Sequence, residues 1–455
     1  MQTNREFLGT EPVRKLLFKL ALPTVLAQLI NMLYNIVDRI YIGHMPGDGA
    51  LALTGVGVCM PVILIVSAFA ALVSSGGAPR ASIFMGRKDY ESAGKTLGNC
   101  FSLLTLISVT LTAILLIFGK KLLLVFGASE NTISYASDYL SIYAIGTIFV
   151  QLTLGMNAFI TAQGFAKTGM LTVLIGAVSN IVLDPLFIYG FGMGVKGAAL
   201  ATIISQAASC TWCMIFLCGR KTHLRIKKEY LPFRAKIILP CVALGLATFV
   251  MQASESILAV CFNSSLLKHG NDIAVGAMTI CTSIMTFAML PMMGIGQGAQ
   301  PISSYNFGAG NAARVKETFR LLISICFGYA ALLWAAIMLF QGVFAGIFSG
   351  DPELLAYTSK VLRIYCGALL LMGIQTGCQL TFVSIGNAPC SIIVAVVRKF
   401  VLLIPLIYIV PHFVSDKAAG VYMAEPIADV LAVTFTVILF SVQFKKALRS
   451  IENHK

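Results

Sequence analysis

Long runs of apolar residues recur along the chain, separated by short stretches in which polar residues, glycine and proline cluster. A helix needs about 17–25 mainly apolar residues to cross a bilayer, and twelve runs reach that length. The predicted spans are Leu16–Ile42, Leu51–Val73, Leu97–Phe118, Tyr139–Thr161, Gly169–Ile188, Gly197–Leu217, Ile237–Phe262, Ala274–Gly298, Leu321–Phe340, Val361–Val383, Ser391–Val410 and Ala418–Phe440. The pattern predicts an all-α integral membrane protein with twelve transmembrane helices.

Composition agrees with a chain embedded in lipid, because 58% of the 455 residues are apolar and 11% are charged, against about 25% charged in soluble domains. The formal net charge of +14 lies mainly in alternate loops, above all between Arg220 and Lys236. The opposite loops hold only Lys120, Lys121, Lys196, Lys268 and Lys417. The positive-inside rule therefore predicts cytoplasmic termini, and the charge indicates membrane orientation rather than nucleic-acid binding.

Comparison of the chain with itself shows an internal repeat. Three residues of one loop region fall on identical residues 222 positions later: Pro79 on Pro301, Ser82 on Ser304 and Gly86 on Gly308. We therefore predict two parallel six-helix bundles, residues 1–219 and 237–455, joined by a cytoplasmic basic linker at 220–236. Parallel repeats of this kind occur in secondary transporters, with substrate bound where the halves meet. Duplication without a transport role is the less specific alternative.

Motifs for nucleotide chemistry or catalysis lack their required context. Gly192 to Gly197 matches G-x-G-x-x-G but lies between two spans, and the Gly94-Lys95-Thr96 sequence has no preceding strand. The Cys210-x-x-Cys213 pair lies inside a span without a second pair, so neither a metal site nor a disulfide framework is expected. The scattered histidines form no H-E-x-x-H site. We expect no cofactor and no enzymatic activity.

Charged side chains inside spans cost at least about 2.5–3.5 kcal/mol and indicate function. In the first half, Tyr34 and Asp38 share one helix face, as do Asn180 and Asp184. With Thr202 these residues could form a pocket of two carboxyl groups and neutral oxygens. Such a pair is not easily doubly ionised, so it can take up H⁺ or ligate Na⁺. The alternative is that Asp184, which precedes Pro185, only caps or kinks its helix.

The second half contains charges of both signs within predicted spans. They are Glu255, Arg398, Lys399, Glu425 and Asp429. Because opposite charges in a span usually pair with one another, a structural network of Glu255, Arg398, Glu425 and Asp429 and a second coupling site both remain open. Within that network, we expect a stabilising pair between Glu255 and Arg398.

Several local sequences together resemble the multidrug and toxic compound extrusion (MATE) family of transporters over essentially the whole chain. They are Leu22-Pro23, Asp38-Arg39-Ile40-Tyr41-Ile42-Gly43, Asn180 to Pro185, Gln300-Pro301, Asn306 to Asn311 and Pro426 to Asp429. The resemblance implies two six-helix bundles around a V-shaped cavity, and export of bulky cationic organic compounds in exchange for H⁺ or Na⁺. It also implies that Asp38, Asn180, Asp184 and Thr202 form the cation site of the first half.

One departure from the family pattern concerns the second half. Some Na⁺-linked relatives pair a span-7 Glu with a span-10 Asp, but span 10 here offers Gln375 and Gln379 and no acid. Glu255 therefore lacks that partner. A methionine-rich stretch in span 8 together with these glutamines predicts the substrate cavity, since flexible thioethers pack around varied apolar shapes. Its predicted residues are Met285, Met289, Met292, Gln375 and Gln379. Plain core packing, the commoner role of such a methionine-rich stretch, is the alternative.

The combined prediction is a monomeric secondary active multidrug antiporter of the bacterial inner or plasma membrane. Its expected partners are small organic cations and membrane lipid, and Na⁺ is the alternative to H⁺ as coupling ion. A lipid-linked oligosaccharide flippase of the same superfamily is the alternative transporter, although such proteins tend to have additional spans. A membrane-embedded enzyme is the alternative from another class, and it would need clustered nucleophiles or metal ligands.

Overall fold

The computed structural model describes residues 6–45, 49–348 and 350–452. Within them, eleven helices are long and apolar enough to cross a membrane, and a bent helix pair supplies a twelfth span. The spans, numbered in chain order, are Val13–Gly43, Gly49–Gly86, Tyr90–Val125, Ile133–Ala162, Ala166–Gly190, Gly194–Cys218, Ala235–His269, Asp272–Gly308, Ala312–Gly346, Pro352–Tyr365 with Leu369–Ser384, Ala388–His412 and Lys417–Glu452. The predicted all-α membrane fold with twelve spans is confirmed. The predicted cytoplasmic placement of the chain ends falls on residues 1–5 and 453–455, outside the described residues.

Four of the described spans are not continuous α-helices. Span 9 is kinked at Phe340, where the backbone is not helical. Span 10 bends by 48° between Tyr365 and Leu369. Span 5 ends in a π-helical turn at Leu186–Gly190, and span 11 contains one at Val397–Leu403. Wide turns of this kind are rare and frequently mark functional sites. In this molecule they follow Asp184 and enclose Arg398 and Lys399, so each lies at a candidate functional residue.

The internal repeat is visible in the hydrogen bonds. Ser82 Oγ donates to the Ala162 carbonyl and Ser304 Oγ donates to the Ser384 carbonyl, each at 2.7 Å. Both partners of the second bond lie 222 residues after those of the first. These two equivalent positions of the halves therefore have equivalent environments.

A second pair of equivalent bonds joins spans 4 and 5 in the first half and spans 10 and 11 in the second. Asn157 Nδ2 donates to the Gly169 carbonyl at 3.2 Å, and Gln379 Nε2 donates to the Ser391 carbonyl at 3.1 Å. Gln379 was predicted to line the substrate cavity. It is buried, with its amide nitrogen holding spans 10 and 11 together, while its Oε1 has no hydrogen-bond partner among the described residues. Its place in the substrate cavity stays a prediction.

The two halves meet closely where spans 2 and 8 cross. A Cβ atom at Gly86 would overlap the carbonyl oxygen of Tyr305, and one at Gly308 would overlap the carbonyl oxygen of Ile83. The residues in these two contacts are also 222 positions apart, so the pseudo-twofold axis that relates the halves passes between the two glycines. Only residues without a side chain allow the backbones to approach this far.

Spans 1 and 8 extend this contact toward the middle of the protein. Thr24 Oγ1 donates to the Gly294 carbonyl at 2.6 Å, and Gln28 Nε2 donates to Gln297 Oε1 at 3.0 Å. These residues lie on the Gly86 and Gly308 side of their spans. Asp38 lies beyond them, toward the other end of span 1.

The N-terminal segment before span 1 is held by the second half. Arg314 donates from Nη2 to the carbonyl oxygens of Leu8 at 3.1 Å and Glu11 at 2.6 Å. Its Nε donates to Asn306 Oδ1 at 3.0 Å, and Asn306 Nδ2 donates to the Leu8 carbonyl at 2.9 Å. Arg314 and Asn306 thus hold the N-terminal segment against the second half, at the Gly86 and Gly308 end of the interface.

The basic linker is also fastened. Gln163 Oε1 accepts hydrogen bonds from Thr222 Oγ1 at 2.8 Å and from the Leu224 backbone N–H at 2.8 Å. Asn99 donates to the Tyr230 carbonyl at 3.1 Å and accepts from the Arg234 N–H at 2.8 Å. The linker therefore lies along the first half rather than hanging free between the halves.

The Gly94-Lys95-Thr96 sequence lies in the first turns of span 3. Asp89 caps that helix by accepting from the Ser92 N–H at 2.9 Å. Hydrogen bonds from the Ser92 hydroxyl and its backbone N–H lower the pKa of Asp89 below its usual value. This segment is a capped helix start rather than a phosphate-binding loop, as the sequence predicted.

Candidate functional site

Two carboxyl groups of the first half lie against each other inside the membrane region. Asp38 is on span 1, and Asp184 is the next-to-last residue of the α-helical part of span 5. Their side chains are within interaction distance, and Asp184 is fully buried. Asp184 therefore faces Asp38 and does not merely cap or kink its helix.

Asn180 completes the span-5 side of this pair. One helical turn before Asp184, it donates from Nδ2 to Asp184 Oδ1 at 3.2 Å. Three other oxygens of this group, Asp38 Oδ1, Asp184 Oδ2 and Asn180 Oδ1, are buried and have no hydrogen-bond partner among the described residues. Buried unpaired oxygens are costly, and a proton or a small cation would satisfy them.

Tyrosine side chains surround the carboxyl pair. Tyr34 lies near both Asp38 and Asp184, as its helical spacing from Asp38 predicts. Tyr139 of span 4 lies near Asp38 and reaches the hydroxyl group of Thr202. Thr202 itself donates to the Ala198 carbonyl at 3.0 Å. The five residues predicted for the first-half site thus come from spans 1, 5 and 6 into one neighbourhood.

Sequence reasoning missed the tyrosines of span 4. Tyr139 and Tyr143 stack with ring centroids 6.3 Å apart, and Tyr143 lies near Tyr34. Their spacing of four residues was the available signal, since it places both rings on one helix face. That spacing alone does not reveal that the face points toward two carboxyl groups.

A cavity with about 400 Å³ of empty space, including its opening, adjoins the carboxyl pair. Its lining includes Asn31, Tyr34, Asn180, Thr202 and Gln206. Gln206 Oε1 is buried without a hydrogen-bond partner among the described residues. The cavity is thus a mainly apolar space in which a few side-chain oxygens are available to a cation.

The donor set suits a proton or a hard monovalent cation. It consists of carboxylate, amide, phenol and hydroxyl oxygens, which are the ligands of hard cations. Across residues 6–45, 49–348 and 350–452, no group of three or more His, Cys, Asp or Glu side chains could hold a metal ion. The geometry therefore gives no support to a transition-metal centre.

In the second half, Arg398 is the centre of a buried charge network. Its Nε donates to Asp429 Oδ1 at 2.8 Å, and its Nη2 donates to Glu425 Oε1 at 3.2 Å. The exposed fractions of the three side chains are 10%, 2% and 6% respectively. The predicted members Arg398, Glu425 and Asp429 are thus brought together by direct contact.

Glu255 has a different partner from the predicted one. Its Oε1 accepts from Lys399 Nζ at 2.8 Å, whereas Arg398 is engaged by Glu425 and Asp429. The expected Glu255–Arg398 pair is therefore wrong, and the neighbouring residue takes its place. Arg398 and Lys399 are consecutive residues of the π-helical turn at Val397–Leu403, so their side chains point in different directions and reach different acids.

The predicted substrate residues of spans 8 and 10 differ in how deeply they are buried. Met292 is fully buried in the main apolar core, so it contributes to packing instead of lining an open cavity. Met285 and Met289 are partly buried against that core. Gln375 is buried with Oε1 lacking a hydrogen-bond partner among the described residues, and so remains a candidate polar contact.

Comparison with known proteins places this geometry in context. The MatE family model matches residues 23–186 and again 247–409, one match in each half. The multidrug export protein MepA of Staphylococcus haemolyticus (strain JCSC1435) is 27% identical over 362 residues, covering 79% of this chain and 79% of that protein. MepA of Staphylococcus aureus (strain NCTC 8325 / PS 47) is 26% identical over 365 residues, covering 80% of each chain.

Solved structures share the fold over nearly the full length. A crystal structure of a MATE protein in the bent conformation superposes with a TM-score of 0.92 at 24% identity, covering 99% of this chain and 100% of that one. An outward-facing multidrug resistance MATE family transporter of the MOP superfamily gives a TM-score of 0.91 at 24% identity, covering 98% and 99%. The backbone arrangement described above is thus that of solved membrane transporters.

Proposed function

The chain belongs to the MatE family of multi-pass membrane transporters and is not an enzyme, and from this premise we propose that it is a secondary active antiporter. The proposed exchange exports cationic, amphipathic organic compounds while H⁺ or Na⁺ enters. The observation that carries the proposal is the contact between the Asp38 and Asp184 carboxyl groups beside a cavity lined by Tyr34, Asn180 and Thr202.

The carboxyl pair provides a reason for exchange instead of simultaneous binding. In a medium of low dielectric constant, two contacting carboxylates are strongly destabilised unless a proton or a cation neutralises one charge. An entering ion and an organic cation would compete for the same negative charge. Binding of one then favours release of the other, which is the linkage that an antiporter needs.

The arrangement of the halves supports alternating access. Close contacts between the halves lie at the Gly86 and Gly308 end, and Asp38 lies beyond them. Rocking of one half against the other would expose the same site to either side of the membrane. The relatives are named multidrug export proteins, and this supports organic drugs as the substrate class and a bacterial plasma membrane as the location.

The number of ions exchanged decides which gradient drives export. If one H⁺ enters for one monovalent drug, no net charge moves, and the drive is about 1.4 kcal/mol per tenfold ion gradient. If two ions enter, the membrane potential adds about 2.3 kcal/mol per 100 mV. Dependence of transport on an imposed potential therefore measures the stoichiometry.

Reconstituted protein tests the proposal directly. Proteoliposomes loaded with ethidium would receive a pH gradient or a Na⁺ gradient in separate experiments, with protein-free liposomes as control. We expect dye movement against its own gradient under at least one of the two, and its loss when an ionophore collapses that gradient. Dye movement that continues after both gradients are collapsed would refute ion-coupled antiport.

A further inference from the structure

The two halves differ at one pair of equivalent positions in a way that bears on ion coupling. The bonds from Asn157 to Gly169 and from Gln379 to Ser391 fix the register of spans 5 and 11 at an offset of 222. Seven and eight residues further on, Gly176 and Ala177 of the first half correspond to Arg398 and Lys399 of the second. The smallest side chains are thus replaced by two of the longest.

In the first half, the equivalent residues carry no charge, and Gly176 packs so closely against span 6 that a Cβ there would meet Ser209 Oγ. Gly176 and Ala177 line the cavity together with Tyr34 and Asn180. The acid of this half, Asp38, faces another carboxyl group. The adjacent Arg39 acts on Asp38 electrostatically, but among the described residues no basic side chain forms an ion pair with it. Two facing carboxyl groups beside one arginine still need a proton or a cation from solution to be neutral.

In the second half, the chain supplies the cation itself. Glu255 corresponds to Asp38 at the upstream offset of 217 residues, and its carboxylate is bound by the Lys399 ammonium group at 2.8 Å. The Lys399 side chain is 7% exposed, whereas that of Glu255 is 58% exposed. A carboxylate exposed to lipid would be costly, so we place this exposed face toward water between the halves.

Arg398 cannot replace Lys399 in this role. It is already bound to Asp429 and Glu425, and the π-helical turn at Val397–Leu403 carries both basic residues. Lys399 is therefore the single basic group that contacts Glu255 among the described residues.

We propose that Lys399 is a tethered counter-cation that occupies the ion position of the second half and so confines ion coupling to the first half. This inference rests on the proposed antiport function. What can be measured without transport is whether Lys399 or a free cation neutralises the Glu255 carboxylate. Lys399 is a specificity-determining residue in this account, because its ammonium group excludes free cations from the exposed carboxylate.

Removal of the ammonium group should turn Glu255 into a site for a free cation. The test uses purified protein with Asp38→Asn as the background, so that the first-half pair does not respond. The melting temperature is measured in alkaline buffer against increasing Na⁺ or methylammonium, with N-methylglucamine chloride holding the ionic strength constant. Alkaline buffer keeps the proton concentration low, so that protons compete as little as possible with the probe.

We expect the melting temperature to respond to cations only when the Lys399 ammonium group has been removed. Asp38→Asn alone should show no cation-specific shift, and Asp38→Asn with Lys399→Ala should show a melting temperature that rises with the logarithm of probe concentration. Lys399→Arg in place of Lys399→Ala should give no shift, and adding Glu255→Gln should abolish the shift. If Lys399 only stabilised the fold, Lys399→Ala would lower the melting temperature, and added cations would not restore it through Glu255.

Two outcomes would overturn the proposal. One is a folded Asp38→Asn, Lys399→Ala variant whose melting temperature responds to neither probe, with Lys399→Gln giving the same result. The other is a cation response in Asp38→Asn alone that Glu255→Gln removes, since the second half would then bind free ions despite Lys399. Because no drug is transported in this assay, failure of the export proposal would be seen only in the proteoliposome experiment.

Discussion

Replacement of Arg398 by glutamine should be among the most destabilising single changes in the second half. The guanidinium group is bound by Asp429 at 2.8 Å and by Glu425 at 3.2 Å. With an effective dielectric constant of about 20, the gross Coulomb attraction is roughly 6 and 5 kcal/mol. Desolvation offsets most of this, and loss of one partner of a buried pair costs about 3–5 kcal/mol net.

The assay is the fraction of folded protein that survives heating, followed by gel filtration of a fluorescent fusion. Arg398→Gln should give a clearly lower melting temperature and a lower folded yield than the wild type. Arg363→Gln is the matched control, because Arg363 lies in the same half and is exposed, and surface substitutions usually change stability by about 0.5 kcal/mol or less.

A double test separates stranded charge from lost packing. Adding Glu425→Gln and Asp429→Asn to Arg398→Gln removes the uncompensated carboxylates, so much of the lost stability should return. If Arg398→Gln melts like Arg363→Gln, the network does not contribute to stability. If the triple variant is no better than Arg398→Gln, the loss does not come from stranded charge, and the reasoning above is refuted.

Three further changes test other parts of the structure. Asp38→Asn should leave a folded protein that no longer exports ethidium from proteoliposomes, and normal export would remove Asp38 from the coupling site. Gly86→Ala should lower the melting temperature because its Cβ would overlap the Tyr305 carbonyl, whereas Gly57→Ala in the same span, where a Cβ meets nothing within 4 Å, should not; equal melting would contradict the close crossing. Arg314→Ala should speed hydrogen exchange around Leu8 by freeing its carbonyl, and unchanged exchange relative to a Lys316→Ala control would show that Arg314 does not hold the N-terminal segment.

The spans were predictable because lipid leaves few alternatives. An apolar run of about 20 residues must satisfy its backbone groups internally, and a helix does so. The bend in span 10 between Tyr365 and Leu369 was not predictable, since the apolar run continues through it. Likewise, the π-helical turn at Val397–Leu403 contains no proline or glycine from which it could have been predicted.

The candidate site was predictable within a helix but less so between helices. Helical spacing correctly placed Tyr34 beside Asp38 and Asn180 beside Asp184, because side chains four residues apart share a face. That spans 1 and 5 meet was implied only by resemblance to a family. Glu255 was assigned to Arg398 because charge alone does not distinguish two adjacent basic residues, and the direction of each side chain decides which acid it reaches.

The repeat explains both the likeness and the difference of the halves. Residues that hold spans together, such as Ser82 and Ser304, keep the same bond in both halves, since both bundles must pack in the same way. Residues that do not hold the spans together can differ between the halves without changing the packing. At one such position Ala177 of the first half corresponds to Lys399 of the second. One half thus keeps a carboxyl pair that needs an ion from outside, while the other carries its own cation. On this proposal the transporter has a single ion-responsive half, so neutralising Asp38 should abolish coupling even though the Arg398 network and the Lys399–Glu255 pair remain in the second half.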